Sequence, residues 1–143
     1  MRSKRILIDF DGTCVTNEFP KVGSSIGAES VLRELVDNGH KLILFTMRCN
    51  HDFEPCSDDP NIVNISGNFL DDAIKWFDDN DIPLYGIQKD PEQHKWTSSN
   101  KAYANIIIDD TSLGIPVKYD RRGVKYVDWL EVRWLLVMNG IIK

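Results

Sequence analysis

The sequence predicts an α/β fold: a three-layer, doubly wound, mostly parallel sheet with helices on both faces. Two observations carry this. Short apolar runs without polar alternation, at residues 6–10, 41–46 and 105–108, suit strands that are covered on both sides. Between them lie amphipathic stretches of about ten residues, the spacing of βαβ units. At 143 residues the chain fits one domain of common size, and a single domain spanning residues 1–143 is expected.

In order, the first strand is predicted over residues 6–10. From Ala28, apolar residues recur at Val31, Leu32, Leu35 and Val36, a helical spacing closed by Gly39. The second strand, 41–46, ends on the hydroxyl of Thr46. Residues 49–68, rich in Asn, Asp, Ser and Pro, read as a polar loop insertion beside that strand end. Phe69, Leu70, Ala73, Ile74, Trp76 and Phe77 mark a second helix, and residues 84–87 a third strand after the Ile82-Pro83 break. A short helix over 98–104 is expected to lead into a fourth strand that runs into Asp109-Asp110. Residues 117–119 suit a fifth strand and Arg122-Gly123 a turn. Asp128 and Glu131 have the spacing of a capping box opening a last helix through Met138.

Composition narrows the class. The chain is 42% hydrophobic and 27% charged with a formal charge of -5, which offers no global attraction to nucleic acid. No stretch approaches the roughly 20 apolar residues of a membrane helix, and the start lacks a signal-peptide core, so a cytoplasmic location without membrane partners is expected. Three cysteines, Cys14, Cys49 and Cys56, argue against a disulfide framework. Cys49, His51 and Cys56 supply too few soft ligands for a zinc site.

The chemistry concentrates where strands end. RILIDFDGT, residues 5–13, is a buried strand running into Asp9 and Asp11, and the fourth strand runs into Asp109 and Asp110. Parallel sheets bind ligands at the carboxyl ends of their strands. If the first and fourth strands are neighbours, four carboxylates meet in one crevice, with Thr46 arriving from the other side. Such acids repel one another unless a hard dication sits among them, and Mg2+ suits this donor set. Asp9 is then a candidate nucleophile toward phosphorus, forming an aspartyl-phosphate. Asp11, two residues on, points to the same side and suits proton transfer to the leaving oxygen. Gly12 and Thr13 bring backbone N–H groups close to a phosphate. Taken singly, Asp-Gly is a common turn and Asp109-Asp110 a common helix cap; the combination favours chemistry.

Asp9-Phe10-Asp11-Gly12-Thr13 resembles the first motif of the haloacid dehalogenase superfamily of phosphohydrolases, Phe45-Thr46 its second, and Ile107-Ile108-Asp109-Asp110 its acidic fourth. Phe19-Pro20-Lys21-Val22-Gly23 after the first motif resembles small capless bacterial and phage members. The resemblance implies a Rossmann-like core with minimal or no cap. It implies Asp9 as nucleophile and metal ligand, and Asp11 as acid/base with its backbone carbonyl on the metal. Asp109 and Asp110 would complete the Mg2+ site, and Thr46 would hydrogen-bond the phosphoryl group. For the neutralising lysine it points to Lys101, with Lys89 as rival, and Arg48 would face the phosphate or leaving group. The implied activity is Mg2+-dependent hydrolysis of a phosphomonoester, the substrate a small phosphorylated metabolite such as a sugar phosphate or nucleotide. Lys118, Arg121, Arg122 and Lys125 form a local basic cluster, so phosphorylated nucleic-acid 3' ends, or a phosphoprotein, are an alternative. A non-catalytic phosphate- or metal-binding module is the alternative from another class; intact Asp9, Asp11, Thr46 and Asp110 count against it.

Overall fold

In the computed structural model, which describes residues 2–51 and 66–143, the apolar runs form one parallel sheet. Its strands are β1 (Arg5–Ile8), β2 (Lys41–Leu44), β5 (Gly86–Ile87) and β6 (Ile106–Ile108), in the order β5-β2-β1-β6. The register aligns their carboxyl ends: Ile8 lies opposite Leu44 on one side and Ile108 on the other, and Leu44 opposite Ile87. Backbone bonds continue past the ladder, from the Asp9 N–H to the Ile108 carbonyl at 3.1 Å and from the Phe45 N–H to the Ile8 carbonyl at 2.8 Å. The residues after each strand therefore share one edge of the sheet. β1 and β6 are neighbours, as the acid-bearing strands must be to share a crevice.

Alternation along the strands sends Ile6, Ile8, Leu42 and Leu44 to one face and Leu7 and Ile43 to the other. The first set joins the main core with Phe10. Among the described residues the α-helices are α1 (Ala28–Asp37), α2 (Phe69–Asp79) and α3 (Trp129–Met138), and all of them contribute to that one core, through Val31, Leu32 and Leu35, through Ala73 and Phe77, and through Val132 and Leu136. Phe10 packs on Trp76 and Phe77 with ring centroids 5.7 and 6.3 Å away. Among the described residues the other face is covered without a helix: Leu7 and Ile43 pack on Ala102, with Tyr85 and Ala104 beside them. The mostly parallel α/β sheet is as expected, and the described residues do not show the expected winding on both faces.

The helix expected over residues 98–104 is absent for a local reason. Hydroxyls take the backbone donors that a helix needs: the Ser99 N–H goes to Thr97 Oγ1 and the Lys101 N–H to Ser99 Oγ, both at 3.1 Å. A short 3-10 turn, Gln93–Lys95, stands upstream instead. Buried Gln93 holds the segment to the sheet, accepting from the Tyr103 N–H at 2.8 Å and donating to the Lys101 carbonyl at 3.0 Å.

The expected fifth strand also sits elsewhere. β7 (Val117–Tyr119) leaves the main sheet and pairs antiparallel with β8 (Lys125–Val127), a strand too short to read from periodicity, around the Arg122-Gly123 turn. β8 is tied to the end of the first strand, since the Val127 N–H donates to the Gly12 carbonyl at 2.9 Å. Asp128 caps α3, accepting from the Glu131 N–H at 3.4 Å. Of the polar insertion, the ends pair as β3 (Asn50–His51) and β4 (Gly67–Asn68); its interior, including Cys56 and hence most of the zinc question, lies outside the described residues. Among those described, no helix is long and apolar enough to cross a membrane.

Candidate active site

Two neighbouring strand tips bring three carboxylates together. Asp9 follows β1, Asp109 and Asp110 follow β6, and one oxygen from each lies within 4.8 Å of the others. Among the described residues no ion pair involves any of the three. The electrostatic consequence is large: burial first, and the Asp109 charge second, push the Asp9 carboxyl up to about 8. Asp110 is also raised, by burial and then by a hydrogen bond with Asp109, while the charge of Lys125 opposes the shift. These are all-oxygen carboxyl donors held close without an ion pair, a set that suits a hard divalent cation.

The turn after β1 builds the cluster. Thr13 is fully buried, and its hydroxyl donates to Asp9 Oδ2 at 2.8 Å while accepting from the Asp110 N–H at 3.0 Å. One side chain thus fixes acids from two strands, while the two N–H groups expected near a phosphate are used within the turn: Thr13 donates to the Phe10 carbonyl at 3.1 Å and Gly12 to the Val15 carbonyl at 2.8 Å. The Trp129 indole N–H in turn donates to the Thr13 carbonyl at 2.6 Å, so α3 backs the turn. Gly12 adopts φ 77°, and a Cβ there would stand 2.7 Å from Asp110 Oδ2. Gly12→Ala combines a disfavoured left-handed backbone with a clash against a candidate ligand. It is expected to weaken divalent-cation binding at least about tenfold, measured by calorimetric titration, because displacing one of three ligands costs more than about 1.4 kcal/mol.

Asp11 stands apart from the cluster. Arg48 grips its carboxylate with two bonds, Nε to Oδ2 and Nη2 to Oδ1, both 2.8 Å. The guanidinium also donates to the Lys21 carbonyl at 2.9 Å and the Phe69 carbonyl at 3.2 Å, between the rings of Phe10 and Phe19. The expectation that Arg48 faces the phosphate or the leaving group meets a side chain that is 3% exposed, with its donors turned inward to Asp11 and two backbone carbonyls. It ties the first motif to the Phe19–Gly23 segment and to the start of α2.

Thr46 sits one residue beyond Phe45 at the tip of β2, its Oγ1 accepting from the Arg48 N–H at 3.1 Å. The two candidate lysines lie in the irregular covering segment: both are exposed, and Lys89 Nζ donates to the Ser99 carbonyl at 3.3 Å, two residues from Lys101. The cation whose charge acts on the cluster is Lys125 of β8, which the sequence marks only as part of a basic run. Thr13 as a two-sided bridge is not among the sequence expectations, which name the residue only for its backbone N–H. Gln88, which binds the backbone of Thr46, carried no signal, because its placement needs a left-handed backbone that no sequence rule assigns to glutamine.

No family model and no curated protein sequence matches the chain. A solved structure of a conserved protein coded by a locus from Bacteroides thetaiotaomicron is similar to it: the TM-score is 0.69 at 29% identity, over 96% of this chain and 93% of that one.

Proposed function

We propose that the chain is a Mg2+-dependent phosphomonoesterase of the haloacid dehalogenase type, acting through an aspartyl-phosphate. The observation that carries the reading is the convergence of Asp9, Asp109 and Asp110 from adjacent parallel strand tips, within 4.8 Å of one another. Two oxygens on one Mg2+ at about 2.1 Å sit at most about 4.2 Å apart, so these ligands need only small adjustments to share an ion. When bound, the dication would keep Asp9 ionised at neutral pH and draw charge from the phosphoryl oxygens. In this reading the sheet and its helices are those of a three-layer fold whose second face, among the described residues, is covered by an irregular segment, with no cap required.

In the first step an Asp9 oxygen bonds to phosphorus and the bond from phosphorus to the leaving oxygen breaks, Asp11 giving that oxygen a proton. In the second, Asp11 takes a proton from water as the water oxygen bonds to phosphorus and the Asp9–phosphorus bond breaks. Both require Asp11 to release at least one of its bonds to Arg48. Thr46 donates its hydroxyl proton to a phosphoryl oxygen. Small phosphorylated metabolites are the proposed substrates. Attachment of the basic β7–β8 hairpin to Gly12 favours, as a second reading, a phosphorylated nucleic-acid end.

The test is phosphate release from an aryl phosphate, sugar phosphates, nucleotides and a 3'-phosphorylated oligonucleotide, with Mg2+ and with chelator. Turnover should require the metal, and Asp9→Asn should lower kcat by at least about 10³-fold. A wild type inert on the whole panel would move the assignment to a non-catalytic binding module.

A further inference from the structure

We infer that Gln88 is a positioning residue for Thr46, holding the phosphoryl-contacting end of β2 by prolonging the sheet with a side chain. The inference rests on the phosphatase reading for its catalytic consequence, and on geometry for the contact itself. Backbone pairing between β2 and β5 ends at Leu44 and Ile87. Beyond it, the Gln88 N–H donates to the Leu44 carbonyl at 2.6 Å, and the side-chain amide then pairs with Thr46 in both directions. Oε1 accepts from the Thr46 N–H at 2.9 Å, and Nε2 donates to the Thr46 carbonyl at 2.6 Å.

A primary amide carries the same donor and acceptor as a peptide group, so Gln88 supplies the rung that no backbone provides there. Reaching that position costs the residue a left-handed backbone, φ 67°, a conformation non-glycine residues hold only where their surroundings over-determine it. Three hydrogen bonds do so here. The result concerns Thr46 directly. With its backbone fixed on both sides and its Oγ1 accepting from the Arg48 N–H at 3.1 Å, the hydroxyl keeps its proton for an outside acceptor, as a phosphoryl oxygen would be. Gln88 itself touches no reacting atom.

A purely structural role predicts otherwise, and glycine separates the two. Gln88→Gly removes the amide but relieves the left-handed cost, so it should unfold at higher denaturant than Gln88→Ala. If Gln88 positions Thr46, both variants lower kcat on an aryl phosphate by about 10- to 100-fold with KM changed less than about threefold, and neither lowers it further in a Thr46→Ala background. Exchange of the Thr46 amide, which needs no turnover, should accelerate at least about tenfold in both variants. Wild-type activity in Gln88→Gly, an equal loss with and without the Thr46 hydroxyl, or unchanged Thr46 exchange would each overturn the inference while leaving the phosphatase reading intact. A wild type without turnover would instead remove that reading and the catalytic consequence with it, whatever the exchange result.

Discussion

Replacing Arg48 by methionine is expected to lower the unfolding free energy by about 3 kcal/mol, read as a shift in urea midpoint without change in slope. The size follows from what the guanidinium does. Its side chain is 1% exposed and that of its partner Asp11 17%, so removing the cation leaves a poorly solvated carboxylate against aromatic rings. Two backbone carbonyls, of Lys21 and Phe69, lose the guanidinium bond at the same time. The double variant Arg48→Met/Asp11→Leu removes both charges and should recover part of the loss, because a paired buried charge contributes less than an abandoned one costs. A single-variant loss below about 1 kcal/mol, within the range of surface pairs, would show that the clamp is solvated in solution.

Stability should also depend on pH and metal through Asp9. Its folded value is raised to about 8 against an unfolded value near 3.9. Between those values the native chain holds a proton that the unfolded chain has released, so stability falls as pH rises, at the steepest by about 1.4 kcal/mol per unit. The raised Asp110 acts in the same direction. The penalty is absent below about pH 4, where both states are protonated, and complete above about pH 8. The acid limb opposes it: Arg133 holds the Glu34 carboxyl low, and the stability it contributes is lost as that group protonates.

The metal-free chain should therefore unfold at clearly lower urea at pH 8 than at pH 5. Asp9→Asn, which has no charge to bury, should flatten the difference. Saturating Mg2+ should restore the pH 8 midpoint, since a ligand at about 100 times its Kd adds about 2.7 kcal/mol. Equal pH dependence in wild type and Asp9→Asn would show that the carboxylate cluster is relieved by some means other than a proton or an ion.

Strand interiors, helix faces and the acids at strand ends were legible because each depends on near neighbours in the chain. Apolar runs without alternation announced β1, β2 and β6; Val31, Leu32 and Leu35 announced the buried stripe of α1; Asp128 announced the cap of α3. The pairing of β1 with β6 was legible only as a condition for four acids to share a crevice, and the register places Asp9, Asp109 and Asp110 together. The helix expected over residues 98–104 misled, because hydroxyls at Thr97 and Ser99 satisfy backbone donors locally in a stretch whose composition also tolerates a helix.

The chain by itself determined which side chains stand at the carboxyl edge of the sheet, since strand period and strand end are local properties of sequence. Tertiary structure alone decided what those side chains touch. Asp11 turns to Arg48, separated from it by 37 positions, and Thr46 is held by Gln88, separated by 42. Contacts of that range follow from register and from backbone conformations such as the left-handed Gln88, and neither is written in the pattern of apolar and polar residues.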